Sequence, residues 1–384
     1  MLFARRVPLA WRNVTANPRK FLLSVVGVTF AVVLMFAELG FLTGVINAQV
    51  RLIDKLAGDL VLVSSSKANM FVVQPFPRAR LAQACGHPDV AAGWPVFVAM
   101  NVGWKEPREG QLRFLRLVAF DPSQPVFRDP ELDALRPALA QPDTLVLDRE
   151  MASYYGPRAA GLQTELEGHA VRVIGTYALG VDLPSRATAV CSDRTLLRAM
   201  SKAREPELQE VEIGLLKLRD GVSPGRALAD LRRFLPEDVR LMTRDQFVNR
   251  ERLYFLIETP IGAMFALGLV MGAVVAGFIC YQILYADVLD NMGQYATLKA
   301  MGYAASSVGA VVMQQAVYLS LLGFGAGIGV AWLLYDFLAR RTGFPMEITP
   351  WRAGAVFGLT LLACEVAAIL AARKPLAADP AEAF

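Results

Sequence analysis

Residues 21–45 read FLLSVVGVTFAVVLMFAELGFLTGV, an apolar run whose only charged member is Glu38. A helix needs about 20 mostly apolar residues to cross the hydrocarbon core of a bilayer, so this run is long enough to span one. Arg5, Arg6, Arg12, Arg19 and Lys20 precede it, with no acid among them. The run starts too late and is too long for a signal-peptide core, and no small-x-small cleavage site follows, so a retained anchor is predicted. Three further runs complete the pattern. One lies at 261–285, one at 310–335 within the uncharged stretch Gly302 to Tyr335, and one at 353–372, interrupted by Glu365.

Composition agrees with membrane insertion. Of the 384 residues 54% are hydrophobic and 19% charged, with a mean hydropathy of +0.38, which is too apolar for an ordinary soluble enzyme. The net charge of +4 comes from basic residues that are scattered or sit at membrane borders, so nucleic acid is not an expected partner. The basic N-terminus places residues 1–20 in the cytoplasm, and alternation does the rest. Residues 46–260 are then extracytoplasmic, 286–309 form a cytoplasmic loop, 336–352 an outer loop and 373–384 an inner tail. One count runs against this order: the outer loop carries Arg340, Arg341 and Arg352, the inner loop only Lys299. The first span and the tail with Arg373 and Lys374 carry the assignment.

The segment between the first two spans alternates β-branched or apolar runs with Gly, Pro and Asp turns. Strands are expected at Leu60 to Val63, Val96 to Val102, Leu112 to Phe120, Thr144 to Leu147, Val171 to Tyr177 and Val211 to Leu218. Ser223 and Pro224 suit an N-cap and first-turn proline for a helix reaching Phe234. Thr243 to Ile257 reads as a helix running directly into the second span. The fold class is thus a membrane α-helical protein, four transmembrane helices in a one-plus-three layout, with a large extracytoplasmic α+β domain of about 200 residues that can bury its own core. Cys280 and Cys364 fall in spans. Only Cys85 and Cys191 are placed for a disulfide, and independently buried thiols are the reading their spacing favours.

Small residues recur one turn apart in the spans: Gly27 with Ala31, Gly40 with Gly44, Gly268 with Gly272, and Gly323, Gly325, Gly327 and Gly329. Such faces let helix backbones approach in lipid, within one chain or, less commonly, across a dimer. Two acids belong to the spans. Glu38 lies roughly 26 Å along the helix from Phe21 and so near the outer headgroups. Glu365 lies about 12 Å inside Arg373, where a protonated or hydrogen-bonded packing role is favoured over a proton relay. No enzyme site emerges. His87 and His169 lack partners at metal-ligand spacing, no Gly-x-Ser-x-Gly occurs, and the Gly-Lys of a phosphate loop is absent. Any ATP used must bind another chain.

The inner loop holds the most specific motif, Gln294, Tyr295, Ala296, Thr297, Leu298, Lys299, Ala300, Met301 and Gly302. It resembles the Glu-x-Ala-x-Leu-Lys-Ala-x-Gly loop of FtsX-like, MacB-type ABC transporter permeases, and most of all that of the DevC branch, with Gln294 replacing the usual Glu. The lead-in Leu9-Ala10-Trp11-Arg12-Asn13 with Pro18-Arg19-Lys20-Phe21, the segment Asp59 to Val63, and the tail Arg373 to Phe384 are similar to the same family. The resemblance implies a non-catalytic, homodimeric permease of the bacterial inner membrane with both termini cytoplasmic. Residues 294–302 would contact a separate ABC-type ATPase that carries ATP and Mg. It further implies a membrane-fusion protein, an outer-membrane channel, and export of a lipid, glycolipid or other amphiphile. The alternative is an FtsX-like regulator of a cell-wall enzyme or signalling partner. An ion-coupled transporter would need midplane sites and repeated helix halves, which four dissimilar spans do not provide.

Overall fold

The computed structural model describes residues 9–200, 208–301, 304–342 and 346–377. Arg5, Arg6, Gly302 and the end of the tail lie outside them. The chain forms two compact units. One comprises the residues up to Gly44, Pro260–Thr342 and those from Met346, the other Val45–Thr259.

Helix α1 (Leu9–Thr15) and helix α2 (Pro18–Asp54) are separated by a break that the sequence dictates. The Asn17 side chain caps the amides of Arg19 and Lys20 at 3.2 Å, and Pro18 occupies the first helical position, where its missing N–H costs nothing. Helix α2 does not stop at Val45, as the hydropathy implied, but continues to Asp54. Val50, Ile53 and Leu56 are buried at its far end, so apolar packing in the second unit extends a helix beyond its membrane-spanning run.

The second unit then runs β1 (Leu60–Ser64), β2 (Phe76–Pro77), α3 (Arg78–Cys85), β3 (Val90–Lys105), β4 (Leu112–Phe120), α4 (Pro130–Leu139) and β5 (Thr144–Asp148). It continues through β6 (Gln163–Leu166), β7 (His169–Tyr177), β8 (Thr188–Ser192), α5 (Asp193–Met200), β9 (Glu210–Val211), β10 (Ile213–Leu218), α6 (Pro224–Phe234), β11 (Val239–Thr243) and α7 (Arg244–Leu253). The main sheet has the order β11-β1-β10-β3-β4-β8-β5-β7-β6, and β6 also returns to β3. Strand β3 is therefore shared. Its first half pairs with β10, Ile213 opposite Val96. Its second half pairs with β4 and, at Trp104, with Leu166 of β6, closing a ring of six strands. The register shifts between Ala99 and Val102, where Asn101 adopts φ of 57°; such a bulge bends a strand and lets it serve two curvatures. Trp104, wholly buried, donates its indole N–H to the Tyr155 carbonyl at 3.1 Å.

Several sequence expectations need correction here. Val211 to Leu218 is two strands interrupted at Glu212, whose carboxylate turns inward to Lys67 at 2.5 Å. Ser223 precedes α6 but makes no side-chain cap. Helix α7 does not run into the membrane. A π-helical turn (Tyr254–Glu258) follows it, and Thr259 is extended at φ −107°, ψ 154°, as a residue before proline must be to avoid the ring of Pro260. All four cysteines are free, Cys191 being buried within β8 and Cys85 exposed on α3.

The remaining helices are α8 (Pro260–Asp290), α9 (Met292–Ala300), α10 (Ala305–Thr342) and α11 (Pro350–Ala377). Helices α2, α8, α10 and α11 are long and apolar enough to cross a membrane. Most of the expected 286–309 and 336–352 loops is thus helical. In the membrane unit α2 lies between α8 and α10, and glycines set the separation. A Cβ on Gly272 would meet Met35 at 2.6 Å, one on Gly323 Val28 at 2.4 Å, and one on Gly327 Val32 at 2.4 Å. Gly27, Gly40 and Gly268 likewise face Ile279, Tyr335 and Glu38. Gly325 and Gly329 have open space beyond them.

The double substitution Gly323→Leu/Gly327→Leu, which drives side chains into α2, should lower the melting temperature of the detergent-purified chain markedly, since each clash costs ~1–3 kcal/mol or more; Gly325→Leu/Gly329→Leu, which meets no neighbour within this chain, should lower it distinctly less. Equal melts for the two pairs would refute the packing. Glu251 on α7 is wholly buried, and its Oε2 accepts the Met70 N–H at 3.0 Å. Burial pushes its carboxyl up to about 7, against the Met70 amide and the Arg250 and Lys67 charges. A carboxyl with a raised folded pKa holds an extra proton in the native state, so stability declines as pH rises from roughly 4.3 through 7. Glu251→Gln should match the parent near pH ~4.5 and exceed it at pH ~8 by on the order of 3 kcal/mol. Denaturant titrations at the two pH values, showing a pH-independent difference, would contradict this.

Candidate ATPase-coupling site

Residues 294–300 of the motif stand on α9, a short helix that follows α8 almost without pause. Asn291 makes the joint. Its amide donates to the Asp287 carbonyl at 3.1 Å, and its side chain donates to the same carbonyl at 2.8 Å and to Asp287 Oδ1 at 3.1 Å. The other Asp287 oxygen accepts from Gln315 Nε2 of α10 at 2.7 Å. The loop geometry is therefore tied to α8 and α10 through one carboxylate.

Helix α9 has two faces. Tyr295 turns inward, 2% exposed, and shares a buried cluster with Leu284, Val288, Val312 and Ala316. Its hydroxyl accepts from Asn13 Nδ2 of α1 at 3.4 Å. Burial, aided by the Asp287 charge, pushes its pKa up to about 12, so it stays a neutral anchor. Ala296 is half-buried. Gln294 and Thr297 are exposed, and Met301 is 62% exposed. These three fall on one side by the spacing of three to four residues that aligns helix positions. Leu298, Lys299 and Ala300 continue the helix, and the Met301 amide donates to the Thr297 carbonyl at 3.0 Å.

Helix α1 buttresses this end. Trp11 packs edge-on to Tyr318 of α10 at 5.4 Å and to Phe21 at 6.4 Å. Lys20 pairs with Asp290. A cavity of about 170 Å³ lies beside them, and its lining includes the polar Asn13, Asn17, Lys20, Ser24, Asp287 and Asn291 among apolar residues such as Phe21 and Leu284. Sequence reading missed Asn13, Asp287 and Gln315 as parts of this region; the polar Asp287 and Gln315 flanking apolar spans were the available signal.

The intramembrane acids stand apart. The Glu38 carboxylate packs over Gly268. Glu365 is half-buried, and its Oε2 is shut from solvent with no hydrogen-bond partner among the described residues. Neither joins the α9 region. Among the described residues no group of three or more His, Cys, Asp or Glu side chains is placed to hold a metal.

If α9 is held by Tyr295, truncation there should be felt. Tyr295→Ala should lower the melting temperature of the purified chain, a large-to-small core change costing ~3–5 kcal/mol, whereas Tyr295→Phe, losing one long hydrogen bond, should cost under ~1 kcal/mol. Indistinguishable melts for the two variants would place Tyr295 outside the core.

Residues 266–380 match the family described as FtsX-like permease C-terminal. An uncharacterized ABC transporter permease of Mycobacterium tuberculosis strain H37Rv is 23% identical over 393 aligned positions, covering 100% of this chain and 99% of that protein. Its counterpart in strain CDC 1551 aligns with the same identity and coverage. The periplasmic region of MacB from Actinobacillus actinomycetemcomitans aligns with a TM-score of 0.35 at 12% identity, covering 51% of this chain and 94% of that one. The extracellular domain of the noncanonic ABC-type transporter YknZ from Gram-positive bacteria aligns with a TM-score of 0.30 at 10% identity, covering 48% and 99%. Helices α9, α10 and α11 and most of α8 thus lie within the segment that matches the FtsX-like permease C-terminal family, and over its whole length the chain is similar to proteins described as ABC transporter permeases.

Proposed function

We propose that this chain is the non-catalytic membrane subunit of an ABC exporter, and that the outward face of α9 receives the motion of a separate ATPase. An ABC permease works with an ATPase subunit, and the observation that carries the site assignment is the two-sided character of α9. Tyr295 is locked into the helix bundle while Gln294, Thr297 and Met301 are offered to solvent. A displacement of that face is passed to Tyr295 and, through Asn13, Asn291, Asp287 and Gln315, to α1, α8 and α10. With Gln294 in place of the family's glutamate, the contact is uncharged at that position and relies on packing.

In this reading the termini and α9 are cytoplasmic, the sheet unit is extracytoplasmic, and ATP and Mg belong to the partner. A second copy completes the permease. Gly325 and Gly329 support this, because their open face lets another helix approach closely. The likeness of 294–302 to the DevC branch supports a membrane-fusion protein, an outer-membrane channel and an amphiphilic cargo such as a lipid or glycolipid.

The test is mild-detergent purification of the tagged chain from native membranes. The parent should retain an ABC-type ATPase in stoichiometric amount, and Thr297→Asp/Met301→Asp should retain at least roughly tenfold less, as loss of a central apolar contact does elsewhere, while inserting normally. Undiminished ATPase retention would remove α9 from the interface. A co-purifying fusion protein supports export; a cell-wall hydrolase or kinase in its place would turn the reading to regulation.

A further inference from the structure

Three arginines cluster where the sheet unit hands the chain to the second span. Arg240 of β11 lines two adjoining cavities, one of about 250 Å³ shared with Arg250, the other of about 440 Å³ shared with Arg232. Each guanidinium is held by backbone carbonyls. Arg232 donates to the Leu241 carbonyl at 3.1 and 3.0 Å, Arg240 to that of Ser65 at 3.2 Å, and Arg250 to those of Lys67 and, at 3.1 Å, Ala68. None forms an ion pair among the described residues. Glu258 and Glu237 line the cavities and are exposed. Arg250 Nη1 is shut from solvent and has no hydrogen-bond partner among the described residues. A buried, unpaired donor on a charged group is costly to leave unmet, because its hydration is lost and nothing replaces it.

The smaller cavity is also amphipathic. Leu253, Tyr254 and Ile257 form its other wall. Leu253, Leu256 and Ile257 are 56%, 42% and 68% exposed, directly before the span that begins at Pro260. Exposed leucine and isoleucine beside arginine, at the point where a chain enters the bilayer, match the boundary between headgroups and acyl chains.

We propose that this cleft between β11 and α7 binds the phosphate of an anionic phospholipid. Arg240 and Arg250 clasp the headgroup, and Leu253 and Ile257 lie against its acyl chains. Guanidinium forks suit phosphate oxygens, and the exposed Arg240, which gives only one N–H to the Ser65 carbonyl, has donors left for a headgroup. Burial and the neighbouring Arg240 charge both pull the Arg250 pKa down, with Glu251 and Glu258 opposing; a bound phosphate would offset that repulsion. The site rests on α8 being a membrane span and not on the assignment of α9 or of export.

The experiment is native mass spectrometry of the full chain released from detergent, after equilibration with phosphatidylglycerol or phosphatidylcholine. Phosphatidylglycerol should be retained in preference to phosphatidylcholine, and Arg240→Gln should reduce that retention roughly tenfold, the loss expected for one charge-assisted contact. Added salt should weaken it further, and millimolar inorganic phosphate should not displace the lipid. Arg240 is exposed and holds one carbonyl, so Arg240→Gln keeps the test free of a folding defect; an unchanged melting temperature verifies this. Equal retention of the two lipids, or undiminished phosphatidylglycerol on folded Arg240→Gln, would overturn the proposal. Retention of inorganic phosphate without lipid would overturn the lipid assignment in favour of a free anion.

Discussion

The membrane unit depends on how closely α8 and α10 approach α2. Lipid supplies no hydrophobic drive for helix association, so packing must come from backbones brought near enough for dense van der Waals contact. Gly272, Gly323 and Gly327 permit that approach, each occupying a place where a single methyl group would overlap Met35, Val28 or Val32. The central residues Ala31, Val32, Met35 and Phe36 are consequently wholly buried. Thr29 adds a hydrogen bond from its hydroxyl to the Gly323 carbonyl at 3.3 Å, an interaction available only at this separation.

That close packing makes the α9 end of the unit a coherent device. Asp287, Gln315, Asn291, Asn13 and Tyr295 are drawn from helices α8, α10, α1 and α9 and the joint between α8 and α9, and their hydrogen bonds connect all four helices. Helix α9 is thus anchored on one side and free on the other. A segment so placed can transmit force, whereas a loop with no buried anchor would absorb it. Glu365 does not belong to this network, and its Oε2 has no hydrogen-bond partner among the described residues.

The sheet unit solves a different problem, placing charges inside a protein core. Arg116 pairs with Asp182 at 2.5 Å and donates to Thr188 Oγ1 at 3.1 and 2.8 Å. Lys67 pairs with Glu212 and donates to the Val72 carbonyl at 2.6 Å. Both pairs are almost fully buried, so each ion needs several partners to offset its desolvation. Burial raises the pKa of both Asp182 and Glu212, against the pull of their cations. Removing one partner of either pair would leave an uncompensated charge inside the fold.

The four spans, the strand at Leu112 to Phe120 and the helix from Pro224 to Phe234 were legible in the amino-acid sequence, because each is announced by local chemistry: apolar length, alternation, or a proline start. The motif 294–302 was legible as a resemblance. Three things were not. The extension of α2 to Asp54 arises from burial of Val50 and Ile53 in the second unit. The double use of β3 arises from pairing with partners far apart in the chain. The division of the glycine ladder into Gly323 and Gly327 facing α2, with Gly325 and Gly329 facing away, depends on where another helix lies. The sequence by itself determined which segments enter the membrane and which form a separate α+β unit, since hydropathy and propensity are properties of contiguous residues. Only the tertiary structure decided that Tyr295 is an anchor, that Met301 is presented outward and that Arg250 keeps an unpaired donor, because burial and partnership are set by side chains brought together from the rest of the fold.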